Sequence, residues 1–283
     1  MSTDRAQRER REIKYLIRED EALAIRSYLS SYLEPDENAL GKPDNSYSVH
    51  TLYLDSNQLA TYRAANDGDR NRFKLRIRYY DEDPQSPVFF EIKRRINEGI
   101  VKQRARVKRE AVHSLLAGES PMPEHLYKWS DRQWADLLDF WHLVERLQAA
   151  PRAHNAYLRE AYVNADATVR VTIDRAVRIG TEFGGELGTE VVDAVEVFAG
   201  AVILELKFTE RMPTWLIEMV RGFELKSSGA AKYVRGVEML GEQRVARRRS
   251  GFEWGNAVTS TATSAPWLDA SAAVRRSLGP HRQ

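Results

Sequence analysis

Hydrophobic and polar residues alternate with a period of two along much of the chain, which predicts β-strands. The period-two segments give nine candidate strands, at 11–17, 47–55, 73–80, 88–94, 100–110, 156–163, 168–174, 193–199 and 201–208. Apolar residues at helical spacing instead predict helices from Asp20 to Tyr32, from Asp131 to Leu147 and from Pro213 to Phe223. Many strands, few helices and hairpin-length connections indicate an antiparallel sheet that is closed, or nearly closed, on itself.

Charged residues share one face of most of these strands, and apolar residues share the other. In the segment FKLRIRYY, for example, Lys74, Arg76 and Arg78 fall on one face. Collected over the strands, the charged faces hold the cations Lys14, Lys74, Arg76, Arg78, Lys93, Lys102, Arg104, Arg106, Arg159, Arg170 and Lys207, and the carboxylates Glu12, Glu91, Asp174 and Glu205. The whole chain has a net charge of only +2, so positive charge is concentrated on these faces.

Two arrangements account for such faces. In a sandwich the charged faces point to water, and a solvated face normally mixes Glu, Thr, Lys, Ser and Gln. In a barrel covered by helices the charged faces line the lumen. The repeated Arg and Lys favour the lumen, because Arg is a fork-shaped donor suited to phosphate and crowded cations require a polyanion. Glu205, and less strongly Glu12 and Glu91, are then ion-pair partners or ligands of a divalent metal.

Composition adds further limits. The chain of 283 residues has no cysteine, which excludes disulfides, thiolate metal sites and a Cys nucleophile, and suits a reducing cytoplasm. It has no apolar run of about 18 residues, and its N-terminal residues lack the apolar stretch of a signal peptide. We expect a flexible arm at 1–10, one domain at 11–244 and a disordered tail at 245–283.

Nine short motifs follow one another along the chain. They are R-E-I-K-Y (11–15), L-Y-L-D-S (52–56), K-L-R-I-R-Y (74–79), F-E-I-K (90–93), V-K-Q-R (101–104), Y-L-R-E-A-Y (157–162), V-R-V-T-I-D (169–174), L-E-L-K-F (204–208) and K-S-S-G-A-A-K-Y (226–233). In this order they resemble the catalytic domain of the vacuolar transporter chaperone (VTC) proteins. That domain is the polyphosphate polymerase branch of the triphosphate tunnel metalloenzymes, which are related to the CYTH domains. The resemblance runs from about Arg11 to Leu240.

The resemblance implies an α+β fold, a closed eight-stranded antiparallel β-barrel that holds a triphosphate, with helices packed outside. By position, the phosphate-binding residues would be Lys14, Arg76, Arg78, Lys93, Lys102, Arg159, Arg170 and Lys232, with Lys226 as a weaker candidate. The catalytic residues would be Lys14, Arg76, Arg78, Lys93, Arg159 and Arg170. Glu205 matches the metal-ligand Glu, and Glu12 is a weaker match. Triphosphatase relatives begin with E-x-E-x-K, whereas here Arg10 replaces the first Glu, which favours the polymerase branch.

The implied activity transfers the terminal phosphoryl group of ATP, or of another nucleoside triphosphate, to a growing polyphosphate chain, with Mn²⁺ or Mg²⁺ as cofactor. Two alternatives stay open: a hydrolase of triphosphate or nucleoside triphosphates, and a non-catalytic module that binds polyphosphate. Nucleic acid is not an expected partner, because the cationic faces lack the interleaved aromatic residues of a stacking platform. Export of the product would need a membrane partner protein that this chain does not encode. We expect a cytoplasmic location.

Overall fold

The structure of the protein, a computed structural model, describes residues 10–97 and 99–246. Its strands are β1 (Arg10–Ile17), β2 (Glu34–Pro35), β3 (Ser46–Asp55), β4 (Arg72–Tyr79), β5 (Val88–Ile96), β6 (Gly99–Val107), β7 (Ala150–Val163), β8 (Val169–Thr181), β9 (Val195–Glu196) and β10 (Val202–Thr209). Its helices are α1 (Glu19–Leu29), α2 (Ala60–Asn66), α3 (Val112–Leu116), α4 (Asp131–Leu147), α5 (Thr214–Gly222), α6 (Lys232–Leu240) and α7 (Glu242–Ala246). Most of the predicted arm (1–10) and tail (245–283) lies, at 1–9 and 247–283, outside the described residues, whereas Arg10 belongs to β1 and Val245 and Ala246 belong to α7.

The predicted strands and helices are confirmed, with two kinds of difference. β7 and β8 are longer than predicted, the strand predicted at 100–110 ends at Val107, and the predicted strand at 193–199 is reduced to β9. The two-residue strand β2 was not predicted. The short helices α2, α3, α6 and α7 were not predicted. α2, α3 and α7 have at most about two turns over which a helical period can show, and α6 directly follows a Ser/Gly/Ala segment. None of the helices in the described part of the chain is both long and apolar enough to cross a membrane.

The eight long strands form one antiparallel sheet in the order β1-β10-β8-β7-β3-β4-β5-β6, with β2 paired to β7 and β9 to β8. β1 and β6 are the outer strands, and their described residues do not pair with each other. The α+β class is therefore confirmed, but the prediction of a closed barrel is wrong: the sheet curls into an open half-barrel. Its two sides meet through side chains, since the Lys93 ammonium on β5 lies 3.3 Å from the Glu12 carboxylate on β1.

Other segments bind the outer edge of β6, where a closed barrel would have β1. The backbone N–H of Arg104 donates to the Asp136 carboxylate of α4 at 3.2 Å, and that of Arg106 donates to the Gln133 side chain at 2.8 Å. The N–H of Tyr127 in turn donates to the Arg106 carbonyl at 2.9 Å. These three edge groups of β6 are thus satisfied by α4 and by the segment before it. On the other side of the opening, the N–H of Ser228 donates to the Lys14 carbonyl of β1 at 2.8 Å, so both outer strands have other partners at these positions.

Helices cover the apolar, convex face of the sheet. α1 and α5 pack on β1, β8 and β10, where Ile25 and Leu216 are buried with Leu204 in one core cluster. α4 packs on β5, with the rings of Phe140 and Phe90 4.9 Å apart. The apolar faces of the strands thus point outward under helices, and the charged faces line the concave side, as the barrel arrangement predicts and the sandwich does not.

α6 fills one end of the concave side. Its residues Tyr233 and Val237 are buried in a core cluster with Tyr53, Ile179 and other residues of the concave face. The contact is close at Gly236, where an added Cβ would lie 2.4 Å from the Ile179 side chain. α6 therefore leaves only the rest of the concave face, which is the charged part, open to a ligand.

Candidate functional site

The concave faces of β4, β5 and β6 carry three successive cross-strand rows of side chains. In register, these rows are Arg78–Phe89–Arg106, then Arg76–Glu91–Arg104, then Lys74–Lys93–Lys102. We call them the aromatic, arginine and lysine rungs. Neighbouring rungs are two residues apart on each strand, or about 7 Å. The rungs place seven cations on three of the eight long strands, and the remaining charged residues face them from β1, β7, β8 and β10.

Glu91 organises the arginine rung. Arg76 and Arg104 each donate from Nε to its carboxylate, at 2.7 and 2.6 Å, and the Lys102 ammonium lies 2.7 Å away. Burial alone would raise the pKa of this fully buried carboxyl, but Arg76, Arg78 and the other cations hold it well below the usual value. The position of one acid thus fixes three cations, so that their remaining N–H groups have set directions.

Asp174 organises a second group on β7, β8 and α6. The Arg159 guanidinium donates to both of its oxygens, at 2.6 and 2.8 Å, and the Lys232 ammonium donates at 2.7 Å. The ring of Tyr157 lies beside both cations, 5.2 Å from the Arg159 guanidinium and 4.6 Å from the Lys232 ammonium. Burial would raise the Tyr157 pKa, but Arg159 and Arg78 together lower it.

Arg170 stands slightly apart from this group. Its guanidinium donates to the Asp36 carboxylate at 2.5 Å and to the Tyr47 hydroxyl at 3.4 Å. The Asp36 carboxylate is itself fixed, because it accepts from the backbone N–H of Ala39 at 3.1 Å. A turn that follows β2 therefore sets the direction of Arg170 toward the concave face.

The third group lies on β1 and β10 and contains two carboxylates. Lys14 is 3.0 Å from Glu12 and 3.5 Å from Glu205, and Lys207 pairs with Glu205. Burial would raise the pKa of Glu12, as would the neighbouring Glu205, but Lys93 and the other lysines lower it to about 2. Burial would likewise raise the pKa of Glu205, but Lys207 and Lys14 hold it well below the usual value, so both carboxyls are ionised at neutral pH.

Several cations lack a carboxylate partner. Lys74 makes no ion pair within the described ranges, and its ammonium instead lies 5.7 Å from the ring centre of Tyr233. Burial, followed by the charges of Lys93 and Lys14, lowers its pKa to about 7. Arg78 is buried, and its Nε has no hydrogen-bond partner in the described chain. A cation of this kind is stabilised by an anion that enters from outside.

A family model for the VTC domain matches residues 9–241. The chain belongs to the VTC domain family. No curated protein matches it. In this VTC domain, the match extends from the start of β1 to the end of α6, and so it includes all three groups of charged residues.

The candidate metal ligands differ in how much of each carboxylate is already engaged. The Glu91 oxygens of the VTC domain receive two arginines and one lysine at 2.5–2.7 Å, which favours the ion-pair role. Within the described residues, the ion-pair partners of Glu12 and Glu205 are lysines alone, and those of Glu12 lie farther away, at 3.0–3.9 Å. Thr172, directly opposite Glu205, has a buried hydroxyl with no hydrogen-bond partner in the described chain. The part of the chain that the structure describes holds no ready-made cluster of three or more ligating side chains. Two carboxylates and an unpaired hydroxyl nevertheless fit Mg²⁺ or Mn²⁺, because Mg²⁺ commonly takes one or two carboxylates together with substrate phosphates and water.

The structure brings together all but one of the predicted phosphate-binding residues. The exception is Lys226, whose side chain is exposed and which directly precedes Ser227 and Ser228, the two residues that pair with the outer edge of β1. Sequence analysis missed Asp36, Thr172 and Tyr157. The alternation along β7 and β8 places Tyr157 and Thr172 on the charged face, so the sequence pattern could have identified them. Asp36 lies in a turn, where no periodic pattern indicates which way its side chain points.

One premise of the sequence analysis needs correction. The cationic face does carry aromatic side chains, because Phe89 has the same parity as Glu91 and lies between Arg78 and Arg106. Tyr80, just after β4, packs edge-on against Phe89 with their ring centroids 5.8 Å apart. The expectation that nucleic acid is not a partner stays a prediction, but it no longer rests on the absence of aromatic residues.

Proposed function

We propose that this VTC domain is a metal-dependent polyphosphate polymerase that transfers the terminal phosphoryl group of ATP, or of another nucleoside triphosphate, to a growing polyphosphate chain. The observation that carries the proposal is the layout of the concave face. There, three groups of cations are each fixed by carboxylates, whereas Lys74 and Arg78 form no ion pair with a carboxylate of the described residues. A long polyanion is the ligand that such a face would stabilise.

Phosphoryl transfer suits this arrangement, because it depends on position and charge more than on covalent chemistry by the protein. In the transition state the charge spreads over the oxygens of the transferred group, and donors that are already oriented stabilise it without reorganisation. Glu91 and Asp174 provide that orientation here. The acceptor, the terminal phosphate oxygen of the chain, is already ionised, so the reaction needs no strong base.

The roles divide between arginines and lysines. Arg76, Arg78, Arg159 and Arg170 would grip the triphosphate, since a guanidinium fork matches phosphate oxygens. The residues that would neutralise the substrate and guide the chain are Lys14, Lys93, Lys102 and Lys232. Lys226, at the edge, would at most meet a chain that leaves the site.

The divalent metal would be held by Glu205, with Glu12 and Thr172 beside it. When bound, Mg²⁺ or Mn²⁺ neutralises phosphate charge and polarises a phosphoryl oxygen. Lys14 and Lys207, which now pair with these carboxylates, are then free to contact phosphate instead. The chain's own contribution is therefore an exchange of partners among Glu12, Glu205 and the two lysines.

Hydrolysis of triphosphate or nucleoside triphosphates is the second candidate, and the open edge between β1 and β6 favours it. An open half-barrel admits water, and water competes with the phosphate chain end for the same phosphoryl group. The balance between the two reactions therefore depends on how well the lysines hold the acceptor chain.

The experiment that separates these functions incubates the full chain with ATP and either Mn²⁺ or Mg²⁺. A polymerase yields acid-labile, long-chain phosphate, whereas a hydrolase yields free phosphate alone. If neither product forms, but polyphosphate binds with an affinity that falls steeply with salt, the protein is a binding module. The control is Glu205→Gln, which should abolish either product. The cytoplasmic location and a membrane partner for export stay predictions from the sequence.

A further inference from the structure

The aromatic rung has side chains that phosphate binding does not require. Phe89 and Tyr80 are half-buried on the concave face, in contact with each other. Tyr127, in the segment that follows the edge of β6, is 47% exposed. We call Tyr80, Phe89 and Tyr127 the aromatic cluster. Three partly exposed aromatic rings beside a phosphate site need an explanation other than core packing.

Two arginine planes lie over these rings. The Arg104 guanidinium is 4.5 Å from the centre of Phe89. The Arg106 guanidinium is 5.8 Å from the centre of Phe89 and 5.4 Å from that of Tyr127, so it lies between two rings. Arg106 is exposed and forms no ion pair with a carboxylate of residues 10–97 or 99–246. Aromatic rings and guanidinium planes are the surfaces on which proteins stack nucleobases.

The rungs are also ordered. Along β4, β5 and β6, the rows run from the aromatic rung through the arginine rung to the lysine rung, over about 13 Å. The lysine rung has no aromatic member. A nucleoside triphosphate has the same order: a flat base, then phosphates, and at the far end the group that is transferred to the phosphate chain.

We propose that the aromatic cluster, with Arg104 and Arg106, binds the base of the nucleoside triphosphate. The triphosphate then extends over the arginine rung, and the growing chain lies at the lysine rung. This assignment rests on the proposed function and adds the direction in which the substrate binds. Stacking accepts any base, because every base has a π-face. The aromatic cluster would therefore distinguish nucleoside triphosphates from inorganic triphosphate, but not ATP from GTP.

Other aromatic residues of the concave face are not available for this role. Tyr53 of β3 and Tyr233 of α6 are stacked on each other, with centroids 4.4 Å apart, and both are buried where α6 packs on the sheet. Tyr157 is buried between Arg159 and Lys232. The aromatic cluster is thus the place, within the described chain, where rings at the charged face stay open to a ligand.

Calorimetric titration of the full chain with ATP and, separately, with inorganic triphosphate, both with Mg²⁺, tests the assignment. The measured quantity is the dissociation constant for ATP divided by that for inorganic triphosphate. Tyr127→Ala should raise this ratio about tenfold, as expected for the loss of one stacking partner. Phe89→Leu, which keeps an apolar side chain, should raise it in the same direction. The matched control is Trp129→Ala, because Trp129 is exposed on the same segment but packs on Trp134.

If wild-type protein binds both ligands and the ratio of dissociation constants is unchanged in both variants, the aromatic cluster does not bind the base. That result would leave the proposed function unaffected. A parallel loss of affinity for ATP and triphosphate would also overturn the base-binding role of the aromatic cluster, because the rings would then serve only the phosphates. Wild-type protein that binds neither ligand would instead overturn the proposed function, and the role of the aromatic cluster with it.

Discussion

Arg159 and Asp174 form a buried ion pair in which the guanidinium donates to both carboxylate oxygens, at 2.6 and 2.8 Å. The pair joins β7 to β8 at directly opposed positions. The same carboxylate also holds Lys232 at the start of α6. One acid thus aligns an arginine toward the concave face and fixes the helix that fills its end.

Asp174→Ala should destabilise the protein by about 3–5 kcal/mol, because it leaves two buried cations without a partner. The free energy of unfolding in urea measures this loss. Inorganic triphosphate should recover more of the stability in this variant than in the wild type, since its charge replaces that of the carboxylate. The control is Glu238→Ala in the exposed Arg235–Glu238 pair, which should change stability by less than about 0.5 kcal/mol.

Lys74→Met should weaken the dependence of stability on pH. Burial and the charges of Lys93, Lys14, Arg76 and Arg72 lower the pKa of Lys74 to about 7, below its value in the unfolded chain. Between these two pKa values the unfolded state binds more protons, so this group makes the ligand-free protein more stable as pH rises above about 7.

The midpoint of urea unfolding at pH 7 and pH 9 checks this expectation. The wild-type midpoint should rise toward pH 9 by more than that of Lys74→Met. Lys128→Met, at an exposed lysine outside the concave face, serves as the control and should keep the wild-type response. Equal responses in all three proteins would show that Lys74 does not carry a perturbed proton equilibrium.

Glu205→Gln and Glu91→Gln should fail in different ways. The first removes a proposed metal ligand, so turnover of ATP should fall by at least about 100-fold at saturating Mn²⁺ while the protein stays folded. The second leaves Arg76, Arg104 and Lys102 without their shared carboxylate, so we expect a loss of stability of about 3–5 kcal/mol. Turnover and urea unfolding, measured on both variants, distinguish the two roles. A folded, fully active Glu205→Gln would remove Glu205 from the metal site.

Gly236→Ala tests the close approach of α6 to the sheet. An added Cβ would lie 2.4 Å from the Ile179 side chain, so overpacking should cost about 1–3 kcal/mol, even though alanine favours a helix. Gly222→Ala, at the end of α5, is the matched control, because no atom lies within 4 Å of its new Cβ. That variant should be neutral or slightly more stable. Circular dichroism during thermal unfolding compares them.

The sequence predicts the face of each side chain best where the alternation of charged and apolar residues recurs on successive strands. The parity of Arg76, Glu91 and Arg104 predicts that they share a face, and the structure places them in one rung. The same alternation places Phe89 on the charged face, two residues before Glu91, although the sequence analysis did not include it. Local patterns thus determine which face a side chain takes, although not which strand pairs with which.

Other features depend on contacts between distant segments. The closed barrel was wrong because α4 side chains satisfy the edge of β6, a contact that joins Asp136 to Arg104 across 32 positions. Asp36 reaches Arg170 from a turn without any periodic signal. α6 was missed because it is short and begins within a Ser/Gly/Ala segment, and its place is set by Tyr233 packing on Tyr53.

The gap in the backbone ladder between β1 and β6 bears on how the proposed polyphosphate would enter, because the Lys93–Glu12 ion pair joins the two sides there. A sealed tube can accept a chain only from a free end, which must then be pulled through. A groove held along one side by a side-chain ion pair can admit an internal stretch once that pair separates, so a polymer with both ends blocked would still dock. The number of phosphate units in a bound chain would then be unrelated to the depth of the groove. The chain would be released through the side of the groove, without having to slide along its whole length.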